Sequence, residues 1–290
     1  MLSWSSYSLN PISLTIRMTD FSSEELTAWA LDELRAKIES VDRPLIISLS
    51  GAQGSGKSTQ SARWAAALRK EGQPGLVLSL DDFYLSKAQR QKLAQEIHPL
   101  AGTRGPPGTH DTERLISLIK TLMRGDASEV SLPRFSKAHD DRLSDEVKVL
   151  PPLRWVIVEG WCLGISGARA QPEEVECRVF ETTGAGSWKQ WIEETIDDRW
   201  RALDALFDWS IYLRIPDFEA IVDARWRQEE SLRNTSGRCQ FETKEQVRDF
   251  VSIYEPWTLR MSQESEALAD STFNVEPGYR YRMVKFPRVD

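Results

Sequence analysis

An apolar run, Leu45-Ile46-Ile47-Ser48-Leu49-Ser50, leads directly into Gly51-Ala52-Gln53-Gly54-Ser55-Gly56-Lys57-Ser58. The run lies between Pro44 and Gly51 and does not alternate, so it reads as a strand buried on both faces of a parallel sheet. The eight residues after it satisfy G-x-x-x-x-G-K-[ST] in full, and a helical pattern begins near Lys57. Gly51, Gly54 and Gly56 let the backbone take positive φ and turn its N–H groups inward. The helix N-terminus adds a partial positive charge. The pattern is a phosphate cradle for a nucleoside triphosphate. Its expected members are Gly51, Ala52, Gln53, Gly54, Ser55, Gly56, Lys57, Ser58 and Thr59. Lys57 is placed to reach the β- and γ-phosphates, and Ser58 to ligate Mg²⁺.

Similar buried runs recur at Leu76–Leu80, Trp155–Val158 and Trp209–Ile215, with helical patterns between them. Ser22-Ser23-Glu24-Glu25 has capping-box spacing, which predicts a helix over roughly 22–39. Asp111 is placed as N-cap of a helix carrying Leu115, Leu118, Ile119 and Leu122. Trp188, Trp191, Ile192, Ile196, Trp200 and Leu203 form a stripe that core packing explains, although the chain has 11 tryptophans. Thr243 to Gln246 caps a further helix. Alternating strand and helix predicts a doubly wound α/β sheet. Residues 98–109, 136–150 and 230–244 are expected as inserted, mobile segments. A last strand falls somewhere in 270–288. Residues 1–17 are Ser-rich with one Arg and no acid, so 1–20 are expected as a flexible extension and 21–290 as one domain.

Composition narrows the function. The chain has 290 residues, 37 Lys plus Arg against 44 acidic residues and a net charge of −7, which argues against a general nucleic-acid binder. No apolar run approaches the roughly 18–20 residues of a membrane span. Cys162, Cys177 and Cys239 have no CxxC spacing, so neither a disulfide framework nor a zinc site follows, and a cytoplasmic, reducing setting is expected. The expected partner is a small molecule, and the expected state a monomer.

Two further acidic sites decide what is done with the phosphate. Ser79-Leu80-Asp81-Asp82-Phe83-Tyr84 puts two carboxylates at the C-terminal tip of the second strand, where open α/β sheets bind ligands. A carboxylate there can accept a proton from an attacking hydroxyl or join a Mg²⁺ sphere. Successive residues leaving a strand point to opposite sides, so only one of the pair faces the acceptor. Trp155-Val156-Ile157-Val158-Glu159-Gly160 ends the third strand with an acid, as a Walker-B carboxylate would, and Mg²⁺ is the cation it needs.

The ordered set GAQGSGKS, SLDDFYL, RGPPGTHD, LPRFSKAHDDR and VEGWCLG, continued by DARWRQEE and KEQVRDFVSIYEPW, resembles the D-glycerate 3-kinase family. More distantly it is similar to uridine kinase, phosphoribulokinase and bacterial-type pantothenate kinase. The resemblance spans roughly residues 45–260. It implies a P-loop NTPase three-layer fold: a parallel five-stranded sheet in order 2-3-1-4-5, flanked by helices, with a helical lid. It also implies ATP with Mg²⁺ as donor and the 3-hydroxyl of D-glycerate as acceptor. By it, Asp81 maps to the catalytic base and Glu159 to the metal-side acid. The family has Tyr-Asp-Lys where this chain has Phe135-Ser136-Lys137, so an aromatic hydroxyl and an acid are both missing there. Pantothenate, a nucleoside or a sugar phosphate are alternative acceptors. An ATP-binding regulator without turnover is the alternative from another class, and the intact Lys57, Asp81 and Glu159 argue against it.

A small anionic acceptor needs paired donors, for which the planar fork of Arg is suited. Arg104, His110, Arg134, Lys137 and Arg142 are the basic groups of the two loops expected at the crevice. Asp82 and Tyr84 complete the expected acceptor side. The helix after the fourth strand carries Asp223-Ala224-Arg225-Trp226-Arg227-Gln228-Glu229-Glu230, which resembles a lid whose arginine closes on the transferred phosphate. Arg225 and Arg227 cannot share a helical face, and Arg227 is expected to be the catalytic one. Asp223–Arg227 and Arg225–Glu229 are spaced as surface ion pairs.

Overall fold

The computed structural model describes residues 20–125, 129–167, 186–236 and 240–285. The expected N-terminal extension lies outside the described residues apart from Asp20, as do Cys177 and Cys239. In chain order the strands are β1 (Asp20–Phe21), β2 (Leu45–Gly51), β3 (Gly75–Ser79), β4 (Val130–Leu132), β5 (Phe135–Ser136), β6 (Asp141–Arg142), β7 (Val147–Val149), β8 (Trp155–Gly160), β9 (Trp209–Arg214), β10 (Ser271–Glu276) and β11 (Arg280–Lys285). The first four helices are α1 (Ser23–Glu39), α2 (Lys57–Lys70), α3 (Lys87–Glu96) and α4 (Thr112–Arg124).

Five strands run parallel in the order β3-β8-β2-β9-β10. Counted along the chain, this is the expected order 2-3-1-4-5. The sheet is buried on both faces because its side chains alternate between two cores. Ile46, Val156 and Val158 pack toward α4 and the later helices, while Ile47, Leu49, Trp155 and Ile157 pack toward α1 and α2. Two aspartates fix strand register. Asp208 accepts the Ile46 N–H at 2.8 Å, and Asp270 accepts the Ser210 N–H at 2.8 Å. Beyond β10 the chain reverses into β11, which pairs antiparallel, and β1 closes that edge. The last strand is thus a hairpin and not a single run.

Caps form where their spacing predicts. Ser22 and Glu25 make a reciprocal capping box on α1, Asp111 caps α4, and Thr243 with Gln246 caps the helix Lys244–Ser252. Trp188 and Trp200 are fully buried, and the helix carrying them passes through a π turn at Ile196–Trp200.

The described residues of the expected mobile segments are structured. Residues 130–149 form one long hairpin, with β4 paired to β7 and β5 to β6. Residues 98–109 begin with a 3₁₀ turn at Pro99–Gly102, and the Thr109 hydroxyl closes the rest by accepting the Gly105 N–H at 3.0 Å. Part of 230–244 continues the long helix Phe218–Ser236.

Candidate active site

The phosphate loop sits where strand order reverses on either side of β2, the crevice position of an open parallel sheet. Gly56 is the N-cap of α2 at φ 88°, and Gly54 has φ 81°. Gly54 is also required sterically, since a Cβ there would stand 2.3 Å from the Ala224 Cβ of the long helix. Gln53, Gly54, Gly56, Lys57, Ser58 and Thr59 line a cleft of about 280 Å³. Gly51, Ala52 and Ser55 of the same loop are buried and do not line the cleft.

Glu159, at the end of β8, accepts the Ser58 hydroxyl at 3.1 Å and the Ser79 hydroxyl at 2.7 Å. It is only 6% exposed, and among the described residues no Lys or Arg forms an ion pair with it. Two hydroxyl donors leave a buried carboxylate incompletely compensated, and a cation beside it would complete its surroundings.

Asp81 and Asp82 lie in a 3₁₀ turn, Leu80–Phe83, and not on the strand. They diverge because successive residues of that turn point about 120° apart, and not by strand alternation. Asp81 lines the cleft. Tyr84 donates its hydroxyl to Asp81 Oδ1 at 2.9 Å, and the Lys137 ammonium lies 2.6 Å from Oδ2. Burial works to raise the Asp81 pKa, but the charges of Lys137 and Lys57 and the Tyr84 hydrogen bond outweigh it and hold the carboxyl below its ordinary value. Asp82 faces away and accepts the Phe135 N–H at 3.1 Å; burial, with the neighbouring Asp81 charge, pushes its carboxyl up.

The expected acceptor cations separate. Arg104 lines the cleft, ion-paired with Asp140, which also accepts from the buried Arg90 at 3.1 Å. Tyr254 donates to the Arg104 carbonyl at 2.8 Å. His110 is corrected: it is 2% exposed, stacked on Tyr84 at 4.4 Å and edge-on to Trp200, and it does not line the cleft. Burial lowers its pKa to about 4, so it is neutral and cannot clamp an anion by charge. Arg142 does not line the cleft either; it bonds the Tyr84 carbonyl at 2.7 Å and Asp111 at 2.8 Å, fastening the hairpin to the start of α4. Arg134 is exposed and paired with Asp145 at 2.7 Å, outside the cleft.

The lid assignment also changes. Arg227 is exposed and outside the cleft, whereas Arg225 lines it. Two residues advance a helix by about 200°, which puts the pair on opposite sides. The Arg225–Glu229 pair exists at 2.5 Å but is interior, with the Glu229 side chain fully buried. Glu229 also accepts the Gln240 N–H at 2.7 Å. Asp223 pairs with Lys244 instead of Arg227. Sequence reasoning missed Gln228, Gln240, Tyr254 and Tyr279 as cleft residues. Gln228, within DARWRQEE, and Tyr254, within KEQVRDFVSIYEPW, lay in quoted motifs, whereas Gln240 and Tyr279 carried no signal.

No protein-family model matches the chain. The uncharacterized kinase mug58 of Schizosaccharomyces pombe is 29% identical over 223 residues, covering 74% of this chain and 79% of that protein. The chloroplastic D-glycerate 3-kinase of Arabidopsis thaliana is 25% identical over 224 residues, 73% of this chain but 46% of the relative's length. Among solved structures, D-glycerate 3-kinase from Cryptococcus neoformans superposes with a TM-score of 0.65 at 25% identity, covering 87% of this chain and 94% of that one. Sheet order, phosphate loop and relatives make this a kinase of the P-loop type, a phosphotransferase with a hydroxyl acceptor. Its relatives include the D-glycerate 3-kinases that its motifs resemble.

Proposed function

We propose that the chain transfers the γ-phosphoryl group of ATP to the 3-hydroxyl of D-glycerate. The observation that carries this reading is one cleft holding the phosphate loop, the carboxylate of Asp81 and two cations, Arg104 and Lys137, suited to a small carboxylate. The named D-glycerate 3-kinase relatives support it.

Asp81 accepts the acceptor's hydroxyl proton as the new O–P bond forms and the bond from the γ-phosphorus to the β,γ-bridging oxygen breaks, releasing ADP. Lys57 and Arg225 neutralise the oxygens of the transferring group. Ser58 and Glu159 fit a Mg²⁺ site, because the buried Glu159 charge has hydroxyl donors but no ion pair. Among the described residues no three His, Cys, Asp or Glu side chains cluster into an all-protein cage, which suits an ion completed by phosphates and water. When bound, Mg²⁺ would offset charge on the β- and γ-phosphates. A second cleft, lined by Gly56, Thr59, Arg63 and Tyr279, adjoins the phosphate loop and could take the nucleoside end. In this reading residues 21–290 act as one domain and one chain, since every side chain assigned to the transfer step lines one cleft.

The test is ADP release with D-glycerate, pantothenate, nucleosides and sugar phosphates under one ATP–Mg²⁺ concentration. D-Glycerate should give the highest kcat/KM. Preference for another acceptor replaces the glycerate assignment, and ATP binding without turnover on any acceptor removes the reading altogether.

A further inference from the structure

Lys137, one of the two cleft cations suited to a carboxylate, is paired in this structure with Asp81 itself. It opens the turn of the 130–149 hairpin, and its ammonium lies 2.6 Å from Asp81 Oδ2 with its own side chain 64% exposed. The hairpin beneath it is fixed. Asp140 receives Arg90 through its carbonyl at 2.6 Å, Asp141 receives the Lys87 N–H at 2.9 Å, and Phe135 donates to Asp82. The backbone at Lys137 is therefore strapped over the cleft while its side chain remains free to reorient.

The alternatives for that ammonium are few. Asp140 is already shared by Arg90 and Arg104, and Asp141 is engaged by two backbone N–H groups. The residue before Lys137 is Ser136, whose hydroxyl is hydrogen-bonded to His139 at 2.8 Å, so the hairpin offers no competing acid there. The ammonium side of the pair is largely exposed to water, so an incoming carboxylate can draw Lys137 away at little cost.

We propose that Lys137 is a specificity-determining residue that rests on Asp81 until an anionic acceptor takes it, so that the acceptor's own carboxylate uncovers the base. Resting on the proposed kinase reading, this adds a requirement on the acceptor: it must carry a negative group within reach of Lys137 when its hydroxyl faces Asp81. A neutral acceptor leaves the ammonium in place. Its hydroxyl then meets a carboxylate whose charge is already engaged.

The experiment compares D-glycerate with the neutral D-glyceramide as acceptors for the wild type, Lys137→Met and Lys137→Arg. Lys137→Met keeps an unbranched apolar stem at an exposed position and should fold. It should lower kcat/KM for D-glycerate by about 10- to 100-fold, the range for losing a hydrogen bond to a charged group. It should raise kcat/KM for D-glyceramide, whose hydroxyl then meets an uncovered base, and leave the KM for ATP unmoved, so discrimination between the two acceptors collapses. An unchanged D-glyceramide rate overturns the covering role. Lys137→Arg should restore much of that discrimination. Equal losses on both acceptors, or an unchanged ratio, overturn the inference while leaving the kinase reading intact. If the panel selects another anionic acceptor, the same ratio is read on it and its neutral analogue, and only the glycerate assignment falls. A neutral preferred acceptor overturns both.

Discussion

Asp82 accepts the backbone N–H of Phe135 at 3.1 Å, tying the turn after β3 to the hairpin that walls the cleft. Its neighbour Asp81 faces the cleft instead. Adjacent acids of the same chemistry thus hold different places, one facing the cleft and one tying its wall.

Asp81→Asn keeps the shape and one acceptor oxygen but removes proton acceptance. With saturating ATP–Mg²⁺ and acceptor, kcat should fall by about 10²–10⁴, the usual cost of losing a general base. Asp82→Asn should leave kcat far less affected and act on acceptor KM through a loosened hairpin. If Asp82→Asn is the crippled variant, the base assignment belongs to Asp82.

The two lid arginines should separate just as sharply. Removing a donor that stabilises transition-state charge costs about 10²–10³ in rate, so Arg225→Ala should lower kcat by that order. Arg227→Ala should stay near wild type, because the side chain is exposed and outside the cleft. Arg225→Ala also strands the buried Glu229, so a melting curve accompanies the assay, and Arg225→Lys serves as the charged control. Near-normal turnover in both Arg225 variants would contradict the role.

Gly54→Ala tests the contact between loop and lid. The new methyl would meet Ala224 at 2.3 Å on a backbone of φ 81°, so it is strained twice. ATP KM should rise, and Ala224→Gly in the same chain should recover part of the loss by removing the steric component alone. No recovery would mean that the left-handed backbone accounts for the whole effect.

Asp204 makes stability depend on pH. Its carboxyl accepts the Gly164 and Ser166 N–H groups at 2.8 and 3.1 Å, yet burial dominates and raises its pKa to about 6. The folded state therefore retains a proton that the unfolded chain releases near pH 3.8, so this residue's contribution falls as pH rises from about 4 to about 6 and is level above. Asp204→Asn should remove that decline. The check is the denaturant midpoint of both proteins from pH 4 to 7. Parallel profiles would show that Asp204 titrates alike in both states.

The buried strands were legible because a parallel sheet covered on both faces demands uninterrupted apolar runs, as in Leu45–Ser50 and Trp155–Val158. The caps at Ser22, Asp111 and Thr243 were legible because they are local. The 130–149 hairpin was not, since its strands are two or three residues long and too short to show a period. The side chains facing the cleft were only partly legible. Arg225 and Arg227 are alike in sequence, and helix phase against the loop distinguishes them. His110 looked like a cation because its enclosure by Tyr84 and Trp200 depends on chain segments far apart in sequence.

Val130 pairs with Val149, so the chain that forms the hairpin leaves and rejoins the body at one point. Such a ribbon is a detachable part: it can be exchanged without cutting a sheet strand or shifting the phosphate loop. Its attachment to the body depends on a few positions, among them Asp82, Arg90 and the Lys87 N–H, which a replacement would have to meet. With Lys137 in the proposed role, acceptor preference could drift through this one stretch of sequence while the nucleotide machinery stays constant. A graft of residues 130–149 between two kinases of this build would carry the proposed Lys137 contribution to acceptor choice with it and leave that of Arg104 behind.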